Sequence, residues 1–181
     1  DTSVFPINYS SKSCLKAADY DNDGDLDLFL GGRVLPGSYP KPVSSFIYRN
    51  DSRDGKVLFT DVTSSVATGL VNIGLVCDAI WTDFNNDGWK DLVLAGEWMP
   101  VTILENKQGK LMNVTAGSGL EKQVGWWNSL SAGDVDNDGD IDYVAGNMGL
   151  NSFYKGSDEQ PVSVYAKDFD KNNSYDAIPS V

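Results

Sequence analysis

A nine-residue acidic pattern, met four times, constrains this chain more than any other feature. Asp19-x-Asp21-x-Asp23-Gly24-x-x-Asp27 sets carboxylates at loop positions 1, 3, 5 and 9. It recurs as Asp83-x-Asn85-x-Asp87-Gly88-x-x-Asp91, Asp134-x-Asp136-x-Asp138-Gly139-x-x-Asp142 and Asp168-x-Asp170-x-Asn172-Asn173-x-x-Asp176. Like charges fixed a few ångströms apart work against a compact state, so the pattern implies a cation among them. Hard oxygen ligands suit calcium, which takes roughly 6 to 8 oxygens in a flexible shell. Alternate residues can converge on one ion, and the backbone carbonyl of position 7 (Asp25, Trp89, Asp140 or Ser174) can add another oxygen. Glycine at position 6 permits the positive φ of a sharp turn, and Asn173, its replacement in the fourth loop, is the next most tolerant residue. Up to four calcium ions are expected.

These loops are not EF-hands. That motif needs a bidentate acid at position 12 and flanking helices, whereas position 12 is Leu30, Leu94, Ala145 and Pro179. Each of the first three loops runs instead into a short apolar segment ending in small residues: Leu28-Phe29-Leu30-Gly31-Gly32, Leu92-Val93-Leu94-Ala95-Gly96 and Tyr143-Val144-Ala145-Gly146. Such runs predict strands buried on both faces.

The repeat is longer than the loop. Phe59-Thr60-Asp61-Val62-Thr63 returns as Leu111-Met112-Asn113-Val114-Thr115, each followed by a Gly-Leu pair and then by the next acidic loop. Loop starts at 19, 83, 134 and 168 leave intervals of 64, 51 and 34 residues. Each unit reads as a strand into the loop, an apolar strand out of it, a third strand such as Phe46–Arg49 or Val101–Leu104, and a fourth ending in Asp-Val-Thr or Asn-Val-Thr. Four-stranded antiparallel units at this spacing predict an all-β chain of β-propeller blades, with units near 13–63, 75–115, 127–160 and an incomplete 161–181.

The loops DYDNDGDLD, DFNNDGWKD, DVDNDGDID and DFDKNNSYD, with FTDVT, LMNVT, GEWMP, GWWNS and YAKDFD, resemble the FG-GAP or VCBS repeats of integrin α-subunit propellers and bacterial surface proteins. They are most similar to bacterial repeats of the ASPIC/UnbV group. The resemblance implies that the aspartate loops bind calcium structurally, and that the propeller is a recognition platform for a protein or glycan without chemistry of its own. The Phe-Gly and Gly-Ala-Pro signatures that name the family are absent.

A propeller closes with about 4 to 8 blades, so two complete units, a shortened third and a truncated fourth predict a partial propeller. The first residue is Asp1, which is read as an excised piece or a processed chain from a larger protein. Residues 1–12 are a candidate outer strand for a neighbouring blade. The formal net charge of −12 argues against a nucleic-acid partner, which needs a basic patch. Four calcium ions would reduce that charge to about −4. Together with the absence of a membrane-spanning run from these residues, the calcium loops imply an extracellular, cell-surface or periplasmic setting. Cys14 and Cys77 precede their loops by five and six residues. They are read as two buried free thiols on opposite strand faces rather than a disulfide.

Catalysis finds little support. The chain has no histidine, which removes the commonest general base and the Ser-His-Asp triad, and a carboxylate held by calcium is a poor proton carrier. An enzyme survives only by analogy with calcium-binding propellers that are polysaccharide lyases. Among the aromatics, Trp81, Trp89, Trp98 and Trp127 are read first as wedges between blades. The second reading is a lectin-like surface in which Trp98, Trp126 and Trp127 stack on sugars.

Overall fold

The strand that enters each acidic loop and the strand that leaves it pair antiparallel, so every loop is the tip of a hairpin. The computed structural model describes residues 4–5, 8–149 and 151–181. In the first unit β1 (Ser11–Ala18) and β2 (Asp27–Val34) flank the loop, and β3 (Phe46–Asn50) and β4 (Phe59–Asp61) complete a meander in the order β1-β2-β3-β4. The second unit repeats it with β5 (Leu75–Thr82), β6 (Asp91–Pro100), β7 (Thr102–Asn106) and β8 (Leu111–Asn113). The third hairpin is β9 (Val124–Gly133) with β10 (Asp142–Asn147), and the fourth is β11 (Ser163–Lys167) with β12 (Asp176–Ser180). The described residues form an all-β, antiparallel fold.

The Asp-Val-Thr and Asn-Val-Thr repeats end the fourth strands rather than extend them. β4 and β8 stop at Asp61 and Asn113, and the chain turns into short helices α1 (Thr63–Val66) and α2 (Thr115–Ser118). The Asp61 and Asn113 side chains accept the amides of Thr63 and Thr115, both at 3.0 Å. The threonine hydroxyls in turn accept the amides of Ile47 and Ile103 at 2.9 and 3.0 Å. Local side-chain bonds of this kind end a strand while satisfying the third strand's free amide.

The core lies between the first two units. Phe29 and Ile47 of the first meander pack with Val76, Ala79, Leu92, Leu94 and Leu104 of the second, and Tyr20 and Leu70 join them. Trp81 closes the seam as a wedge: its ring stacks on Tyr20 with centroids 6.4 Å apart, and its indole N–H donates to the Lys16 carbonyl at 3.3 Å. The small residues at the strand ends mark close backbone approach. A Cβ on Gly32 would lie 2.2 Å from the Ser44 carbonyl oxygen, and one on Gly96 would lie 2.5 Å from that of Leu75.

β6 joins the second and third units. Glu97 pairs with Leu75 of β5 and with Trp126 of β9, so β9 takes the edge that β7 occupies over Leu92–Leu94. A single carboxylate pins the three entering strands. Asp78 on β5 pairs with the Lys16 ammonium of β1 at 2.8 Å and accepts the Leu130 amide of β9 at 2.9 Å.

Two expectations need correction, on the burial of β10 and of the cysteines. β10 is not buried on both faces: Tyr143 is 37 % and Val144 57 % exposed, and among the described residues it pairs with β9 alone, at the edge of its sheet. β11 and β12 form their own two-stranded sheet, whose loop end abuts the β2–β3 connection through a Tyr175 amide to Gly37 carbonyl bond of 2.8 Å and Lys41 over the Tyr175 ring. Both cysteines are free but only half-buried, and burial pushes both thiols up. The candidate outer strand falls partly on residues 1–3, 6 and 7, outside the described residues; Phe5 stacks on Phe59 of β4 at 5.2 Å.

Candidate metal-binding loops

All four loops adopt one conformation, built from their own side chains. Position 1 accepts two successive amides. Asp19 takes those of Asp23 and Gly24 at 3.1 and 3.0 Å, and Asp83 those of Asp87 and Gly88 at 2.9 Å each. Asp134 takes those of Asp138 and Gly139 at 3.2 and 3.0 Å, and Asp168 those of Asn172 and Asn173 at 3.0 and 2.9 Å. Position 5 then accepts the amide of position 7: Asp23 from Asp25, Asp87 from Trp89, Asp138 from Asp140 and Asn172 from Ser174, all between 2.8 and 3.1 Å. Gly24, Gly88, Gly139 and Asn173 all have positive φ, as the spacing requires.

Position 4 also lies in the left-handed region, at φ of 59°, 56°, 62° and 63° for Asn22, Asn86, Asn137 and Lys171. Sequence reasoning passed over these residues, although asparagine in three of four copies is the signal of a left-handed position.

Positions 1, 3 and 9 converge. A carboxylate oxygen from each of Asp19, Asp21 and Asp27 lies within 4.8 Å of the others, as do those of Asp134, Asp136 and Asp142 and those of Asp168, Asp170 and Asp176. In the second loop the corresponding set is Asp83, Asn85 and Asp91, with an amide in place of one charge. The Asn85 amide donates to Asp87 at 3.0 Å and to Glu105 at 3.4 Å. The position-5 residues Asp23 and Asp138 stand outside these groups, and these two and Asn172 accept the position-7 amides.

Position 9 has a second role that spacing alone did not reveal. Asp27 is fully buried and clamps two amides, Asn50 at 2.8 Å and Tyr20 at 3.4 Å. Asp91, equally buried, clamps Asn106 at 2.7 Å and Phe84 at 3.1 Å. Asp142 and Asp176 each hold one amide, Val135 at 2.8 Å and Phe169 at 3.1 Å. Asn106 was also missed. Wholly buried, it donates to the carbonyls of Tyr20 at 2.7 Å and Lys90 at 2.9 Å and accepts the Gly109 amide at 2.8 Å, tying the first loop to the second. Asn50 and Asn106 both end a third strand, the only hint the sequence offers.

The electrostatics favour a positive guest. Burial pushes the Asp27 carboxyl up to about 6 despite the amides it accepts. Burial likewise raises Asp91, and burial with the neighbouring Asp23 and Asp19 charges raises Asp21. Asp21 Oδ1 and Asp25 Oδ1 are buried without a hydrogen-bond partner, an arrangement that costs free energy unless something satisfies it.

Residues 83–145 match the family model of an FG-GAP-like repeat. The matched stretch runs from the second loop through β6–β9 and the third loop into β10. It therefore holds two complete copies of the acidic hairpin tip. No curated protein matches the chain.

Proposed function

We propose that the chain is a calcium-stapled segment of a β-propeller, serving as a non-catalytic scaffold for recognition outside the cytoplasm. Its repeats are assigned to the FG-GAP/VCBS type, in the bacterial ASPIC/UnbV group. The observation that carries the calcium reading is the first loop, where three carboxylates converge and a buried Asp21 oxygen has no partner. Positions 1, 3 and 9 would supply the side-chain oxygens. The ion would act by cancelling like-charge repulsion within the loop. The scaffold reading draws on the FG-GAP-like match, a repeat typical of extracellular proteins that bind other proteins. No helix among the described residues is long and apolar enough to cross a membrane.

Thermal unfolding in calcium and in EGTA tests the metal. At free calcium about 100-fold above the dissociation constant, each occupied site adds roughly 2.7 kcal/mol, so the melting temperature is expected to fall substantially on chelation. Asp134→Ala is expected to lower it more than Asp168→Ala, the same position in the two loops, because the fourth loop lacks the position-6 glycine. An unchanged melt in EGTA would remove the calcium reading.

A further inference from the structure

The strands of the first two units run between two chemically different ends. β6 starts at the second acidic loop with Asp91 and reaches Trp98 seven residues on, a rise of about 23 Å. At that far end lies a cavity of about 460 Å³, lined among others by Trp98, Trp126, Lys122, Asn147, Tyr154 and Asp158. Its size falls within the roughly 300–1,000 Å³ of small-molecule sites.

Trp98 is held there at a cost. It has φ of +58° at a bulge in the β6 register, a strained conformation for a bulky residue. A chain of polar contacts fixes it. The indole N–H donates to the Tyr39 hydroxyl at 2.8 Å, Tyr39 donates to the buried Glu97 at 3.0 Å, and Glu97 pairs with Arg33. The Trp126 ring sits 5.6 Å from Trp98 at a tilt of 37°. Simple core filling requires neither the strain nor the relay, since an indole packs as well from an ordinary strand position.

We propose that this cavity binds a neutral saccharide. The C–H groups on one face of a pyranose carry partial positive charge and meet the negative face of an indole, while Asn147, Lys122 and Asp158 offer both donors and acceptors to hydroxyl groups. One ammonium and one carboxylate in the lining give an anionic sugar no net attraction. Tyr39 and Glu97 are positioning residues that set the Trp98 ring. The assignment rests on the recognition reading above and names its ligand class.

The test is calorimetric titration in saturating calcium with neutral gluco-, manno- and N-acetylglucosamine oligosaccharides, and with an oligogalacturonate. Saturable binding of a neutral probe is expected. Trp126→Ala should weaken it at least tenfold, and Trp126→Phe should recover most of it. Absence of binding by every neutral probe, equal binding by Trp126→Ala, or preference for the oligogalacturonate would overturn the proposal. A protein that binds no saccharide yet still melts lower in EGTA loses only this site; one that binds saccharide but ignores EGTA loses only the calcium reading.

Discussion

The first two acidic loops and the last two share one nine-residue pattern but occupy different surroundings. Asp27 and Asp91 are fully buried and each clamps two amides. Asp142 and Asp176 are partly exposed and each holds one. The difference lies in the neighbours: β3 and β7 bring the amides of Asn50 and Asn106 to the first pair, while no third strand stands beside β10 or β12 among the described residues. The loop conformation is local and the same everywhere. Burial of its ninth residue is a property of the completed meander.

The strongest challenge to that contrast is truncation of the apolar strands that follow the loops. Leu92→Ala empties a fully buried position between the two meanders, and a loss of about 2–5 kcal/mol is expected. Val144→Ala removes a side chain that is 57 % exposed, and about 0.5 kcal/mol or less is expected. Urea unfolding of both variants checks this, and comparable losses would mean that β10 is as buried as β6.

A more moderate effect is expected at position 9 itself. Asp91→Ala strands the Asn106 and Phe84 amides, and a loss of about 2–4 kcal/mol follows if each costs its usual desolvation. Asp142→Ala frees one amide that lies at an exposed tip, with an expected loss below about 1 kcal/mol. The pair should be compared in EGTA, so that any metal contribution is removed from both. Equal losses there would show that the clamp is not what separates the loops.

The smallest effect concerns the tie between the two halves. Burial pushes the Asp78 carboxyl up, but the Lys16 contact and the Leu130 and Ala79 amides together outweigh it and hold it below the ordinary carboxylate range. A depressed folded-state value means that the unfolded chain binds the proton more tightly. The contribution is therefore complete above the unfolded aspartate pKa and is lost as pH falls through the folded one. Asp78→Asn should flatten the acid arm of the stability curve and leave its slope near neutrality unaltered. An acid arm identical to that of the parent protein would place the pH dependence elsewhere.

Much of the molecule was legible from spacing. The antiparallel hairpins at Asp19–Asp27 and its copies, the small residues at Gly32 and Gly96, and the turn at position 6 follow from short-range sterics and charge. Of the four tryptophans read as wedges, Trp81 takes that place at the seam of the first two units, whereas Trp98 lines the far-end cavity and Trp89 stands at the second acidic loop. Position 4 was legible and overlooked, since Asn22, Asn86 and Asn137 carry the signal in their identity. The fourth strands were read two residues too long, through Val62-Thr63 and Val114-Thr115, because the threonine hydrogen bonds that end them reach back to Ile47 and Ile103, 16 and 12 residues earlier.

What the sequence by itself determined is therefore whatever a residue decides with neighbours a few positions away: the loop conformation, the strand pairs around it and the shortage of basic charge. Tertiary structure alone decided which copies of the motif are buried, that Asn106 reaches 86 residues back to the Tyr20 carbonyl, and that Arg33, Tyr39, Glu97 and Trp98 meet at the end opposite the first two acidic loops. Those contacts join segments far apart in the chain, and their energies depend on water being excluded by the packing of both meanders at once.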